Sequence, residues 1–276
     1  MKTILVPTDF SKISRNAIDY AVEMANQTKS KLILFHAYHV PVIPSEVPVM
    51  LPTLEEIEMD CMDGLKKIQK TISFKNNKNL TIDCVCKCGL AVDEIKTYTN
   101  DNNIDFIVMG IQGAGYLSER LMGSVTTSLI RSAKCPVLII SEHVKFVAPK
   151  KIVLACDYLS TQSKSVLKPL EEFVAIFNSH IFVLNVARQF ETVPIIEEST
   201  TGFVNLTHSL KNTQHSFHTS ENENVVNAIN DFVIKQKIDM VVMISRQHSI
   251  LHSIFHEPTT KHMAFHTNVP LLALHE

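Results

Sequence analysis

The chain has 276 residues, of which 45% are hydrophobic and 20% are charged, and its formal net charge is −2. This length suits two domains of about 140 residues each, and the charge gives no indication of a nucleic-acid partner or an acidic, disordered tail. The apolar run after Lys2 is too short for a signal peptide, and no stretch approaches the roughly 18 apolar residues of a membrane span. We therefore expect a cytoplasmic protein without a membrane partner.

Six cysteines bear on this expectation, because a cytoplasmic location favours free thiols over disulfides. They are Cys61, Cys84, Cys86, Cys88, Cys135 and Cys156. Three of them alternate in "DCVCKCGL", so a strand would place Cys84, Cys86 and Cys88 on one face. They could bind a soft metal, or they could be small apolar residues on a buried face. No C-x2-C pair sets a zinc spacing, which favours the second interpretation.

Short β-branched runs alternate with amphipathic helical patterns along the first half. In chain order they predict a strand in "KTILVP", a helix in "ISRNAIDYAVEMANQT", a strand in "KLILFHAY", a Pro-rich loop from Val40 to Pro52, a helix over Leu54 to Ile72, a strand in "LTIDCVCKC", a helix in "AVDEIKTYTNDN", a strand in "IDFIVMG", a helix in "SVTTSLIRSAK" and a strand in "PVLIIS". Continuous apolar strands separated by helices predict an α/β fold with a parallel sheet covered on both faces.

The second half repeats this order. "KKIVLACDYLS" corresponds to "MKTILVPTDFS", "SHIFVLNVA" to "SKLILFHAY", and "VVNAINDFVIKQKIDMVVMIS" to "AVDEIKTYTNDNNIDFIVMGI". "NVPLLAL" corresponds to "KCPVLII", with Pro270 matching Pro136. A tandem duplication explains these matches most simply. The sequence predicts one domain over residues 1–144 and another over 149–276, with the boundary in "SEHVKFVAPKK".

Glycines are concentrated at one place in the first half. The chain has seven, and four fall within the fourteen residues from Gly110 to Gly123, just before Ser124. A loop between a strand end and a helix start faces the ligand crevice of an α/β sheet, and glycines allow close approach. The free N–H groups and the positive dipole end of the helix suit a phosphate. The alternative is a long loop in which Ser124 only caps the helix.

The stretch "GIQGAG" carries neither the dinucleotide fingerprint nor the Walker lysine. Its spacing, G-x2-G-x9-G-[ST] between "IVMG" and "CPVLII", and the opening "ILVPTDFS" resemble the ATP-binding signature of the universal stress protein family. The resemblance covers nearly all of residues 1–142 and, more weakly, 150–275. It implies tandem Rossmann-like (adenine nucleotide alpha hydrolase-like) domains, each an open five-stranded parallel sheet with helices on both faces. It also implies an ATP ligand with Mg²⁺.

The same resemblance implies the residues of the nucleotide site. They are Pro7, Thr8 and Asp9 beside the adenosine, Ala37 in the adenine pocket, Gly110 and Gly113 at the ribose and phosphates, Gly123, Ser124 and Val125 at the distal phosphates, and Met109 as a further nucleotide-binding residue. Carboxylates accept hydrogen bonds from hydroxyl or amino groups, whereas backbone N–H groups donate to phosphate oxygens. The alternative for Asp9 is a cap of the helix that begins near Lys12.

The glycine signature is absent from the second half. Aligned without gaps, Gly110, Gly113, Gly123 and Ser124 become Ile244, Gln247, Glu257 and Pro258. Side chains fill the approach, a carboxylate repels phosphate and proline removes a donor. Asp157 matches Asp9, but Ala155 and Cys156 replace Pro7 and Thr8. We predict one ATP per chain, in the N-terminal domain.

Histidines are frequent in that part of the second half. The two sets spaced by four residues are His248, His252 and His256, and His262 and His266. In helices each set would share a face and could bind a transition metal. The corresponding part of the first half is a predicted loop, and a companion Glu-x-x-His or cysteine pair is missing from the sequence. This favours polar surface histidines and no metal site.

The sequence contains no G-x-S-x-G elbow and no H-E-x-x-H motif. The resemblance implies at most slow ATP hydrolysis, so we predict a stress-response binding module in which bound ATP orders the glycine loop and biases association with an unknown protein partner. A hydrolase or nucleotidyl-transfer enzyme and a nucleotide-independent scaffold are the alternatives. The family commonly pairs domains through their last strands, which implies either pairing of the two tandem domains or a homodimer.

Overall fold

The computed structural model describes residues 2–39, 52–74, 80–111, 124–156, 164–187, 197–245 and 269–275. The elements of the first half are β1 (Thr3–Pro7), α1 (Lys12–Thr28), β2 (Lys31–Tyr38), α2 (Leu54–Phe74), β3 (Ile82–Cys88), α3 (Ala91–Asp101), β4 (Phe106–Ile111), α4 (Ser124–Ser132) and β5 (Val137–Ser141). Those of the second half are β6 (Lys151–Ala155), α5 (Lys164–Phe177), β7 (His180–Ala187), α6 (Glu197–Leu210), β8 (His215–Glu221), α7 (Val225–Gln236), β9 (Met240–Ser245) and β10 (Leu271–His275).

All ten described strands form one sheet, in the order β3-β2-β1-β4-β5-β10-β9-β6-β7-β8. Neighbouring strands within each half are parallel, and β5 and β10 pair antiparallel where the halves meet. Each half is therefore a five-stranded parallel sheet with the same strand order. This confirms the predicted α/β fold.

The central strands are buried on both faces of the sheet. Ile4 and Val6 belong to the cluster beneath α1, α2 and α5, whereas Leu5 belongs to the cluster beneath α3, α4 and α7. All three side chains are almost fully inaccessible to water. Such two-sided burial explains why these strands appear in the sequence as continuous apolar runs rather than as alternating ones.

The internal repeat is visible in matching backbone hydrogen bonds. The Ile107 amide donates to the Pro136 carbonyl at 2.9 Å, and the Val241 amide donates to the Pro270 carbonyl at 3.0 Å. These pairs are related by the same sequence offset that aligns Gly110 with Ile244. The hydrogen bonds therefore support the gapless alignment made from the sequence.

The two halves are joined by β5 and β10. Leu272 pairs with Leu138 and Ala273 with Val137, and all four residues are inaccessible to water. A second contact lies nearby, where the ring of Phe106 packs edge-on against Phe173 of α5, with centroids 5.2 Å apart. The last strands of the halves thus pair with each other inside the chain.

The cysteines depart from the free-thiol prediction. Cys61 of α2 and Cys86 of β3 form a disulfide, with Cα atoms 6.5 Å apart. The prediction was wrong for this pair because α2 packs directly on β3 and brings together two thiols that are 25 residues apart in sequence. Cys84, Cys135 and Cys156 lie outside this disulfide and are at least half-buried, whereas Cys88 also lies outside it and is exposed, so not all of the alternating cysteines lie in the core.

None of the described helices combines the length and apolar character needed to cross a membrane. The predicted Pro-rich loop from Val40 to Pro52 lies almost entirely outside the described residues.

His275 at the end of β10 supports the end of α4. Its Nε2 lies 2.8 Å from the carbonyl oxygen of Ile130, to which it donates as the neutral tautomer, and its buried Nδ1 has no partner among the described residues. Burial lowers the pKa of His275 below the usual 6.5 and outweighs the backbone carbonyls of Ile130, Leu129 and Cys135, which act in the opposite direction.

This environment predicts a loss of stability in acid. The unfolded chain takes up a proton near pH 6.5, while folded His275 resists it until a lower pH, so the free energy of unfolding falls as the pH drops between these two values. We expect His275→Gln, which keeps a donor near Ile130, to show a shallower fall in urea unfolding between pH 7 and 5. Exposed His208→Gln is the matched control, and an unchanged slope in His275→Gln would contradict the assignment.

Candidate functional site

A cavity of about 300 Å³ lies at the carboxyl ends of β1, β2 and β4. Its lining residues are Pro7, Thr8, Asp9, Ser11, Ile13, Ser14, Phe35, His36, Ala37, Ala91, Ile95, Met109, Gly110, Ile111, Val125 and Thr126. Ligands of parallel α/β sheets bind at this edge, because strand ends and helix N-termini meet there. The walls are largely apolar, with a few hydroxyl groups and one carboxylate.

The structure brings most of the sequence-predicted site residues to this cavity. Those that line it are Pro7, Thr8, Asp9, Ala37, Met109, Gly110 and Val125. Ser124 is the first residue of α4, whereas Gly113 and Gly123 lie outside the described residues. Their contact with a nucleotide stays a prediction, but residues from four separate elements converge on one space.

The loop between β1 and α1 is held by its own side chains. The buried Thr8 hydroxyl accepts from the Phe10 amide at 3.0 Å and lies 2.9 Å from the Ser14 hydroxyl. Phe10 has a φ of 64°, a left-handed conformation that is uncommon for a bulky residue. His36 fixes the loop from β2, because its Nδ1 lies 2.7 Å from the Thr8 carbonyl and its ring packs on Phe10. Thr8 therefore forms part of the cavity wall, and its hydroxyl is already hydrogen-bonded within the loop.

Asp9 lies exposed at the mouth of the cavity. Its Oδ1 accepts from the Ser11 amide at 3.0 Å. Partial desolvation raises the pKa of Asp9, but hydrogen bonds from Ser11 and Ser14 outweigh it and lower the pKa below its ordinary value. The cap of α1 is Ser11, whose side chain accepts from the Ser14 amide, so Asp9 is not the helix cap. Its ionised carboxylate faces the cavity.

Gly110 is a glycine because α1 lies against it. A Cβ at this position would lie 2.7 Å from both Cγ2 and the carbonyl oxygen of Ile13. No side chain fits that space without moving the start of α1. The sequence interpretation attributed this glycine to ligand approach, whereas the structure adds a packing requirement that is independent of any ligand.

The start of α4 forms another side of the cavity. Thr126 is buried, and its hydroxyl donates to the Gly110 carbonyl at 3.2 Å, which ties α4 to the end of β4. Val125 lies beside it in the cavity wall. The first N–H groups of a helix lack intrahelical partners and carry the positive end of the helix dipole. This end of the cavity is therefore suited to an anion.

Sequence analysis missed several of the wall residues, above all His36, Ser14 and Thr126. His36 and Thr126 each lie within one residue of a predicted site residue, Ala37 and Val125. Their positions next to a strand end and a helix start were the sequence signal that could have identified them. Ser14 gave no such signal, because its role depends on a hydrogen bond to Thr8 across the turn.

Comparison with protein-family models identifies the family of this chain. The model of the universal stress protein family matches residues 1–141, which is half of the chain. The chain belongs to the universal stress protein family. Universal stress protein MJ0531 of Methanocaldococcus jannaschii is 28% identical over 147 residues, which cover 52% of this chain and 84% of that protein. Universal stress protein YxiE of Bacillus subtilis is 27% identical over 143 residues, 50% of this chain and 97% of that protein.

The tandem arrangement also has a solved counterpart. A universal stress protein from Archaeoglobus fulgidus superposes with a TM-score of 0.73 at 16% identity, covering 98% of this chain and 97% of that one. At this identity the likeness shows the fold alone. It extends over both halves, so the tandem fold is found in another universal stress protein.

The second half of this universal stress protein keeps the framework of the site but changes its surface. The Cys156 amide donates to the Leu184 carbonyl, which matches the hydrogen bond from the Thr8 amide to the Phe35 carbonyl in the first half. The side chain of Asn185 contacts the Cys156 carbonyl in the same way that His36 contacts the Thr8 carbonyl. Ile244 stands where the first half has Gly110, and its side chain is buried in the core. The residues predicted to replace the remaining glycines, Gln247, Glu257 and Pro258, lie outside the described residues.

A metal site needs several ligand side chains close together. Among the described residues of this universal stress protein, no group of three or more His, Cys, Asp or Glu side chains is placed to hold a metal ion. Asp9 is the sole acidic residue among the described residues that line the cavity. The histidine sets from His248 to His266 lie outside the described residues.

Proposed function

We propose that this protein is a nucleotide-responsive stress protein that binds one adenine nucleotide, ATP with Mg²⁺, in the cavity of the first half. The observation that carries the proposal is the convergence of Asp9, Ala37, Gly110 and Val125 on one cavity beside a helix start. The glycine spacing from Gly110 to Ser124, which resembles the family's ATP-binding signature, supports the same ligand. Bound nucleotide would then bias association with a protein partner.

The apolar part of the cavity suits an adenine ring. Ala37, Phe35, Ile95 and Met109 form continuous apolar walls at the ends of β2 and β4 and on α3. Pockets for ligands of this size are mainly apolar and have volumes from about 300 Å³ upward. Ala37 carries the smallest side chain with a Cβ, so it leaves room for a flat ring against the strand.

The charges divide the cavity into two ends. The Asp9 carboxylate is a hydrogen-bond acceptor and suits ribose hydroxyls, but it would repel phosphates. The start of α4, with its free N–H groups and positive dipole end, suits the phosphates. Mg²⁺ would be held chiefly by the phosphate oxygens and by water molecules, as is usual for this ion. A nucleotide with its adenine ring at β2 and its phosphates at the start of α4 would match both ends of the cavity.

One site per chain is proposed because the halves differ at the strand end. The glycine spacing from Gly110 to Ser124 has no counterpart in the second half, where Ile244, Gln247, Glu257 and Pro258 stand at the equivalent positions. A single class of site with a stoichiometry of one is therefore expected. Two equivalent sites would contradict this part of the proposal.

The test is native mass spectrometry of protein purified without added nucleotide, followed by calorimetric titration with Mg²⁺–ATP. Ala37→Phe fills the apolar end and is expected to weaken binding by about tenfold or more, equivalent to about 1.4 kcal/mol. Val186→Phe, at the equivalent position of β7, is the matched control and should bind as the unmodified chain does. Absence of binding at millimolar ATP would overturn the proposal, as would equal loss in both variants.

Turnover separates a binding protein from a hydrolase built on the same cavity. A binding module returns intact ATP after incubation with Mg²⁺. An enzyme would release product at a rate that Asp9→Ala abolishes and Asp157→Ala does not, since the two aspartates hold matching positions in the halves. Product formation measured by ion-exchange chromatography decides between them.

A further inference from the structure

The Cys61–Cys86 disulfide fastens one particular part of α2. Among residues 54–64 of this helix, Cys61 is the only one that is buried. The remainder of the helix is held by the buried side chains of Leu65, Ile68 and Ile72. The N-terminal half of α2 is therefore attached to the core by the disulfide and by two partly buried side chains, Ile57 and Met62.

This half of α2 lies at the cavity end of the sheet. Gln69, further along the helix, donates to the carbonyl of Ile82 at the start of β3, whereas Cys61 reaches Cys86 near the end of β3. The helix thus runs antiparallel to the strand. Its first turns lie towards the carboxyl ends of the strands, where the cavity opens.

Two contacts connect α2 to the cavity wall. A Cβ at Gly64 would lie 3.0 Å from the ring of Phe10, so the helix backbone rests directly on that ring. The Phe10 ring also packs on His36, with ring centroids 4.6 Å apart. His36 lines the cavity, holds the Thr8 carbonyl and is the register partner of Cys86 on β3. Phe10 and His36 therefore connect the disulfide-bound helix to the proposed nucleotide site.

We propose that Cys61–Cys86 is a thiol–disulfide switch that sets the affinity of this cavity for its adenine nucleotide. The inference rests on the proposed function and adds its regulation. In the oxidised protein, α2 holds Phe10 and His36 in place and the wall is formed before the ligand binds. In the reduced protein, the first turns of α2 lose their covalent link to β3 and keep only side-chain packing, so binding must also order the wall and is weaker.

The chemistry requires a dithiol reductant. One thiolate of the reductant attacks a sulfur of the Cys61–Cys86 bond, forms a mixed disulfide and releases the other cysteine as a thiolate, which takes up a proton. The second thiol of the reductant then displaces the remaining cysteine and closes an intramolecular disulfide. Two electrons and two protons pass from the reductant to the protein, which gains two thiols.

The test compares the full chain in two redox states by calorimetric titration with Mg²⁺–ATP. Thiol labelling verifies the states, since Cys61 and Cys86 form the disulfide of the oxidised chain and all six cysteines should react after reduction and unfolding. Reduction with dithiothreitol is expected to weaken binding about tenfold, within the usual range of coupling between sites. Hydrogen exchange should accelerate in residues 54–64 and stay unchanged in residues 65–74.

Two cysteine variants test whether the Cys61–Cys86 bond itself causes the difference in affinity. Cys61→Ser should bind like the reduced chain and should not respond to dithiothreitol. Cys88→Ser, on the same strand but outside the disulfide, should keep the full redox difference. Equal affinity of the oxidised and reduced chains would overturn the switch while leaving the proposed function intact. If neither state binds ATP at millimolar concentration, the proposed function fails and the switch fails with it.

Discussion

Gly110→Val is expected to destabilise the chain by about 3 kcal/mol and to abolish nucleotide binding. Even the first carbon of a side chain would lie 2.7 Å from the Ile13 backbone oxygen, which cannot rotate away as a flexible side chain could. Overpacking of a tight core commonly costs about 1–3 kcal/mol, and the two branches of valine add to it. Relief requires α1 to move, which would displace Ser11 and Ser14 from the cavity wall.

The matched control is Ile244→Val in the second half, at the position equivalent to Gly110. It removes one methylene from a buried side chain and should cost only about 1 kcal/mol. Urea unfolding measures both changes, and titration with Mg²⁺–ATP measures binding. A Gly110→Val chain that unfolds at the same urea concentration as the unmodified chain would show that α1 does not depend on this close approach.

Leu272→Asp is expected to separate the two halves and to cost about 4 kcal/mol or more. Leu272 is fully buried in β10 opposite Leu138 of β5, at the antiparallel joint. The substitution removes a buried apolar side chain and places a carboxylate in the apolar core. Burial raises the pKa of such a group, but the neutral acid still lacks hydrogen-bond partners.

Chemical unfolding followed by circular dichroism measures this effect, and size-exclusion chromatography tests for association through the strand edges that the lost pairing uncovers. Leu54→Asp is the matched control, because Leu54 lies exposed on α2 and its loss should change stability by less than about 0.5 kcal/mol. Equal midpoints for the two variants would mean that the β5–β10 pairing contributes little to stability.

Local sequence patterns were sufficient to predict most of the first-half elements. β2 was predicted with the bounds that it has, and α1, α2 and β5 differ from their predicted bounds by one or two residues. Periodicity works here because each strand is buried on both faces and each helix on one, so burial imposes the pattern directly on neighbouring residues. The strand-to-helix junction was recognised for the same reason, since local patterns predicted the end of β4 near Gly110 and the start of α4 at Ser124.

The sequence by itself determined the elements, the internal repeat and the strand ends at which Pro7, Asp9, Ala37 and Gly110 gather. Only the tertiary structure decided the pairing of β5 with β10, the bond between Cys61 and Cys86, the contact of Gly110 with Ile13 and the place of His36 beside Thr8. The physical reason is sequence distance. Periodicity reports which face of an element is buried, but contacts between residues 25, 28, 97 or 134 positions apart depend on how complete elements pack, which no local pattern records.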